Sequence, residues 1–100
     1  MIDENLDEYI SYALEQIEAV EELILGLEKN VNPKEQFRKM NLIVHSIKGS
    51  AGSYGLDFAS VICHNMEDYI NRIDHKKYGE SVDPLLKFTD LLKSLSLIHI

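Results

Sequence analysis

Cysteine, proline and basic residues are scarce in this 100-residue sequence, and tryptophan is absent. The single cysteine, Cys63, cannot form a disulfide within the chain, so we expect an inert core thiol and a reducing, cytoplasmic location. Only 10 Lys and Arg stand against 17 Asp and Glu, which gives a formal net charge of -7. This acidic balance argues against nucleic acids and anionic membrane surfaces as partners, because their phosphates attract basic faces.

Long apolar runs are also missing. No stretch of the sequence approaches the roughly 18 apolar residues of a membrane-spanning helix. The acidic start from Met1 to Asn5 has neither the basic nor the apolar region of a secretory signal. The chain length suits one domain with a single core. We expect an initiating Met1 both in a free-standing protein and in a module that begins a larger one.

Apolar residues recur at helical spacing in four segments, and no alternating pattern typical of a strand competes with them. The predicted helices span residues 3–28, 33–53, 57–74 and 83–96. Four amphipathic helices with short connections predict an all-α domain over residues 1–100, folded as an antiparallel up-down-up-down four-helix bundle.

Capping residues set the predicted helix ends. Asn32-Pro33 and Asp83-Pro84 each combine a capping side chain with a proline suited to the first turn. Asp57 is expected to cap the third helix, and Gly55 to end the second in a left-handed conformation. We expect a loop from Lys76 to Gly79. The apolar tail from Leu97 to Ile100 could extend the last helix or fray.

Each predicted helix has one apolar stripe that should face the core, and acidic residues of the first helix are expected to form a solvated outer face. The stripes are Leu6, Ile10, Leu14, Ile17, Val20, Ile24 and Leu27; Phe37, Met40, Val44, Ile47 and Ala51; Ile62, Met66, Tyr69 and Ile73; and Leu85, Phe88, Leu92 and Leu95. The solvated face comprises Glu15, Glu18, Glu21 and Glu22.

A polar strip borders the apolar stripe of the second helix. At about 100° per residue, Asn41, His45, Lys48, Gly49 and Gly52 fall close together. Each of the two glycines costs roughly 1 kcal/mol relative to alanine inside a helix. We expect them to clear space beside the imidazole for a large partner, although they could instead allow tight helix packing.

The third helix carries a matching strip of Ser60, His64, Glu67 and Asn71. Since the second and third helices are predicted to be antiparallel neighbours, the two polar strips can meet. A neutral imidazole is a competent nucleophile toward phosphorus. A hydrogen bond to Glu67 would hold the His45 ring in one tautomer, and Lys48 would offset phosphoryl charge.

The run His45-Ser46-Ile47-Lys48-Gly49, with Gly55 ten residues after the histidine, resembles the H-x-x-K-G-x-x-x-x-x-G signature of histidine-containing phosphotransfer (HPt) domains. The run His64-Asn65-Met66-Glu67 is similar to the element that supports the phosphorylated histidine in chemotaxis histidine kinases. Those kinases usually carry an arginine where this chain has Leu42. The resemblance covers essentially the whole chain.

This resemblance implies a phosphocarrier in which His45 accepts the phosphoryl group and Lys48, Glu67 and His64 tune it. Gly49 and Gly52, together with Asn41, are expected to form the docking face for a receiver. The implied partners are a response-regulator receiver domain, a histidine kinase or both. We expect a monomer without a cofactor of its own, with Mg²⁺ held by the receiver.

Two alternatives come from other classes of function. His45, His64 and Glu67 could bind a metal, but the apolar stripes of the first and fourth helices offer no further ligands. The chain could also be an interaction module that uses the same face without phosphoryl transfer. ATP-dependent kinase activity is not expected, because no glycine loop followed by lysine and serine or threonine is present. His75 and His99 are expected to be surface residues.

Overall fold

The computed structural model describes residues 4–29 and 32–97, and within them the chain is a four-helix bundle without strands. The helices are α1 (Glu4–Glu28), α2 (Pro33–Ser53), α3 (Asp57–Arg72) and α4 (Val82–Leu91). A 3₁₀ helix (His75–Ser81) precedes α4, and a π-helical segment (Leu92–Leu97) continues it. The all-α, up-down-up-down prediction is confirmed. None of the described helices is both long and apolar enough to cross a membrane.

Local capping signals explain both ends of α2. The side chain of Asn32 accepts a hydrogen bond from the Glu35 amide, and Pro33 occupies the first helical position. At the other end, Gly55 has a φ of 76°, and the Leu56 amide donates to the Ala51 carbonyl at 2.9 Å. This left-handed ending turns the chain back into α3. Both ends lie where the sequence predicts them.

The helix α3 begins at the predicted residue and α4 one residue earlier than predicted, but the predicted capping residues of both are wrong. The cap of α3 is Leu56, which makes no side-chain capping bond, and Asp57 lies inside the first turn. The cap of α4 is Ser81, so Asp83 also lies inside its helix. Acidic residues in a first turn still interact favourably with the helix dipole. They stabilise these helices without marking their first residue.

The segment after α3 is helical, which corrects the predicted loop at Lys76 to Gly79. The helix α3 ends at Arg72, two residues earlier than predicted, because Ile73 adopts an extended conformation. The side chain of Asp74 then accepts from the Lys76 amide at 3.0 Å and starts the 3₁₀ helix. This helix leads directly into α4.

The core contains most residues of the predicted apolar stripes, but some predicted residues are only partly buried and other residues are buried in addition. Tyr9 and Ala13 are buried in α1, whereas Leu6 and Leu14 are only partly buried. The α2 stripe is buried at all five predicted positions. In the remaining helices Tyr69, Ile73 and Phe88 are partly buried, while Val82 and Thr89 join the core. The structure does not describe the side chain of Leu95. It also does not describe residues 98–100, which include His99 and the end of the tail.

Glu21 does not belong to a solvated face. One of its carboxylate oxygens lies 3.0 Å from Lys93 Nζ, and the other accepts a hydrogen bond from Thr89 Oγ1 at 3.3 Å. Glu15, Glu18 and Glu22 are exposed as expected. Glu21 therefore ties α1 to the α4 side of the bundle.

Candidate functional site

The helix α2 presents His45 to solvent because its neighbours anchor the helix from the opposite side. Val44 and Ile47 are buried in the core, while the His45 side chain is 71% exposed. On α3, the buried residues Met66 and Ile70 hold the helix so that Glu67 faces α2. These helices make the most extensive contact in the bundle. Hydrophobic periodicity thus fixes both sides of the site.

His45 contacts Glu67 through the inner edge of its imidazole ring. Its Nδ1 lies 3.3 Å from Oε1 and 3.4 Å from Oε2 of the carboxylate. A carboxylate can only accept a hydrogen bond, so this contact favours the tautomer protonated on Nδ1. The lone pair of the ring then lies on Nε2, at the outer edge. That arrangement suits a nucleophile that reacts with a large partner.

Lys48 completes the group. Its Nζ forms an ion pair with Glu67 Oε1 at 3.0 Å. The Glu67 side chain is only 15% exposed, so the nearby ammonium compensates a carboxylate that is largely removed from water. The expected role of Lys48 in offsetting phosphoryl charge stays a prediction, and in this structure its ammonium lies against Glu67. Three of the residues predicted to act together are therefore in contact.

Gly49 and Gly52 leave the surface beside His45 open. A methyl group added at Gly49 would meet nothing within 4 Å, and one added at Gly52 would meet only Ser60 Oγ, at 3.9 Å. Neither glycine is therefore required for close packing of α2 against its neighbours. Their expected role in docking stays a prediction, and the open surface is compatible with it.

Asn41 lies one turn before His45 and bonds across to α3. Its Nδ2 donates to Asn71 Oδ1 at 2.7 Å. On the other side of the site, Ser60 Oγ donates to the backbone carbonyl of Lys48 at 3.0 Å. The predicted meeting of the two polar strips is thus confirmed. Asn71 and Ser60 were placed on a strip by helical spacing, but spacing alone does not reveal these bonds.

His64 is not brought into contact with His45. Its side chain is 62% exposed, and its Nε2 lies 3.7 Å from Asp68 Oδ2, one turn further along α3. It borders an open cleft of about 460 Å³ that also includes Lys48, Ser60 and Val61. His64 therefore lies at the edge of the site, and its expected tuning role stays a prediction.

Two further sequence predictions concern thiol chemistry and metals. Cys63 is fully buried, and burial raises the pKa of its thiol to about 12, which fits an inert core residue. His75 is exposed, and its ring stacks on Phe37 with 5.0 Å between centroids. Within residues 4–29 and 32–97, no group of three or more His, Cys, Asp or Glu side chains could hold a metal ion.

Comparison with known proteins assigns the family. The chain belongs to the Hpt domain family, whose model matches residues 4–96. It is 28% identical over 97 residues to the sensor histidine kinase CheAY of Helicobacter pylori, a match that covers 94% of this chain and 12% of that protein. It is also 28% identical over 96 residues to the chemotaxis protein CheA of Treponema pallidum, covering 93% and 12% respectively. No solved structure matches the chain significantly.

These matches confirm the predicted family and its likeness to the modules of chemotaxis histidine kinases. They support histidine phosphotransfer in two-component signalling, with the chain as a phosphocarrier module. The chain spans only 12% of the length of the relatives that it matches.

Proposed function

We propose that this chain accepts a phosphoryl group on Nε2 of His45 and passes it to an aspartate of a response-regulator receiver domain. The observation that carries the proposal is the combination of an exposed imidazole with a buried carboxylate at its opposite edge. The His45 side chain is 71% exposed, whereas that of Glu67 is 15% exposed. One nitrogen is thus oriented, while the other is available.

In the proposed reaction, the Nε2 lone pair attacks phosphorus in line with the bond to the leaving oxygen. The N–P bond forms as the P–O bond to ATP or to a receiver acyl phosphate breaks, and the leaving oxygen keeps the electron pair. The ring becomes cationic while Nδ1 keeps its proton, and Glu67 stabilises this charge. Lys48 holds Glu67 in place through the ion pair at 3.0 Å.

The remaining parts of the reaction belong to the partners. A histidine kinase supplies the phosphoryl group, and Mg²⁺ in the receiver's acidic pocket assists transfer there. Asn41, Gly49 and Gly52 lie on the face that the receiver would approach. One nucleophile and one docking face suffice, so we propose a monomer. Its proposed location is the reducing cytoplasm, consistent with the unpaired Cys63.

The test is phosphorylation of the purified chain by candidate histidine kinases with ATP and by phosphorylated receivers. We expect label on the wild type that is labile in acid and stable in base, and none on His45→Gln. His75→Gln is the matched control, because His75 is also exposed but lies outside the site. Circular dichroism should show unchanged helicity in both variants.

ATP alone should give no label, because the amides of Gly49 and Gly52 lie within α2 and cannot form a phosphate-binding loop. Label that persists on folded His45→Gln would contradict the assignment of the nucleophile. A folded wild type that no donor labels would instead support the interaction-module alternative.

A further inference from the structure

We infer that Asn71, acting through Asn41, and Ser60, acting through the Lys48 backbone, are positioning residues that set the tautomer of His45. This inference rests on the proposed function of His45 and adds residues to which that function assigns no role. The two cross-helix bonds flank the His45–Glu67 contact on either side. We call them the flanking bonds.

The His45–Glu67 contact needs external support because it is long. Both Nδ1–oxygen distances, 3.3 and 3.4 Å, are close to the upper limit for a hydrogen bond. The imidazole is largely in solvent and receives little packing from its surroundings. A separation of α2 from α3 by less than 1 Å would therefore break the contact. The spacing between the two helices controls the ring.

The flanking bonds act directly on that spacing. Asn41 lies four residues before His45 on α2, and Asn71 lies four residues after Glu67 on α3. In antiparallel helices these positions are one turn from the site on the same side. On the opposite side, Ser60 binds the main-chain oxygen of Lys48, so it holds the α2 backbone itself. The site is held at both ends.

Stability alone does not explain the asparagine pair. Asn41 Oδ1 is shielded from solvent and has no hydrogen-bond partner among the described residues. An unpaired buried acceptor lowers stability, so an apolar pair of the same size would stabilise the bundle at least as well. What the amides add is a directional bond of 2.7 Å between α2 and α3. A directional bond fixes helix register and separation, which apolar packing specifies less sharply.

The first measurement is the ¹⁵N spectrum of the His45 ring, which reports the tautomer without any phosphoryl donor. The wild type should show predominantly the Nδ1-protonated form. Asn71→Leu, similar in size but unable to bond to Asn41, should give a mixture of tautomers, and Ser60→Ala should do the same. Asn71→Asp keeps the accepting oxygen and should restore the wild-type spectrum. Asn65→Leu is the matched control on the exposed side of α3.

The second measurement is the rate of phosphoryl transfer to His45. We expect Asn71→Leu to lower the maximal rate about tenfold, in line with the effect of removing partners that orient metal-bound histidines. The apparent affinity for the donor should change less than the maximal rate, because the variant leaves Gly49 and Gly52 untouched and frees only the Asn41 side chain on the docking face. Thermal unfolding of each variant shows whether the fold is kept.

The results separate the inference from the function on which it rests. A labelled wild type whose tautomer and rate are unchanged in folded Asn71→Leu and Ser60→Ala would overturn the inference alone. A folded wild type that no donor labels would overturn the proposed function, whatever the ¹⁵N spectrum shows. If Asn71→Leu does not fold, the other two variants test the inference. An unchanged tautomer in Ser60→Ala would overturn it, and so would a mixture of tautomers in Asn71→Asp, which keeps the accepting oxygen.

Discussion

His45 is the exposed member of a group whose other members are increasingly shielded. Its side chain is 71% exposed, that of Lys48 26% and that of Glu67 15%. The carboxylate therefore interacts with His45 and Lys48 in a medium where charges are screened less than in water. This gradient lets one side chain orient the ring while the reactive nitrogen stays accessible. The chemistry depends on the order of burial as much as on the residue types.

Substituting leucine for Gly49 would distinguish the effect of partner access to His45 from the effect on the stability of the bundle. Nothing lies within 4 Å of a Cβ at Gly49, and the residue is exposed, so a side chain can start there without displacing a neighbour. Loss of a helix-interior glycine should raise the free energy of unfolding by up to about 1 kcal/mol. The isobutyl group would nevertheless stand beside His45, so we expect Gly49→Leu to slow phosphoryl transfer. Urea unfolding and transfer kinetics measure the two effects.

Gly79→Leu is the control for that substitution, because a Cβ at Gly79 also meets nothing within 4 Å but lies in the 3₁₀ helix. Its transfer rate should match the wild type. Transfer by Gly49→Leu at the wild-type rate would show that the open surface beside His45 is not used by the partner.

The site residues differ in how far the sequence alone predicts them. His45 and Glu67 could be paired in advance because helical spacing places them on facing strips. The direction of the Lys48 side chain could not, since a lysine has many rotamers and the spacing does not choose between Glu67 and solvent. The Asn41–Asn71 bond depends on the register between helices, which no local pattern encodes. The Asp68 partner of His64 is local, at four residues on one helix, and was predictable in principle.

Local sequence signals predict the ends of a helix correctly where a residue strongly prefers one backbone conformation. Asn32, Pro33 and Gly55 each have a conformational preference that leaves few other positions for the helix ends. Asp83 was wrongly predicted as the cap of α4, because a helix dipole favours an acidic residue anywhere in the first turn. The 3₁₀ helix was not predicted, because the sequence from His75 to Ser81 has little apolar periodicity. It is stabilised by packing of the partly buried Tyr78 against the core.

The contact between α1 and α2 predicts a coupling between Gly26 and Gln36. The buried Gln36 donates from Nε2 to the Leu23 carbonyl at 3.2 Å. A Cβ at Gly26 would lie 2.6 Å from that nitrogen, so alanine there must displace the amide. The expected gain of about 1 kcal/mol from replacing a helical glycine is then offset by loss of the hydrogen bond, about 1 kcal/mol.

A double-mutant cycle measures this coupling. In the wild-type background, Gly26→Ala should change the free energy of unfolding little or lower it. In a Gln36→Ala background, the same substitution should raise it by about 1 kcal/mol. Gly49→Ala should instead be additive with Gln36→Ala, because the two positions do not touch. Additive behaviour of Gly26→Ala would contradict the contact.

In the whole molecule, the candidate site and the contacts of Glu21 lie in different pairs of helices. The helices α2 and α3 carry every residue of the candidate site, while Glu21, Thr89 and Lys93 tie α1 to the α4 side of the bundle. The fold class was predictable because four amphipathic stripes can be buried together in few ways. The Glu21 contacts were not, because its helical position alone suggests solvent. Only the packed bundle brings Lys93 and Thr89 to it.

Stability of the bundle should decrease at alkaline pH through groups buried in different helices. Burial raises the pKa of Cys63 to about 12, and burial also raises the pKa of Tyr9 despite its hydrogen bond to Ser50. In the unfolded chain these groups titrate near pH 8.5 and 10 respectively. Above those values the unfolded state loses protons that the folded state retains. Deprotonation thus favours unfolding, by up to about 1.4 kcal/mol per pH unit for each group.

The contribution of Cys63 can be isolated between about pH 8.5 and 9.5, where at least about half of the unfolded-state thiol and at most about a quarter of the unfolded-state phenol are ionised. We expect the free energy of unfolding, measured in urea by circular dichroism, to fall more steeply with pH for the wild type than for Cys63→Ala. The alanine variant should be less stable at pH 7, because it leaves a small cavity. Titrations of lysines and exposed tyrosines are common to both proteins and cancel in the difference. Equal slopes would mean that the thiol ionises as readily in the folded bundle as in the unfolded chain, which is incompatible with its burial between the helices.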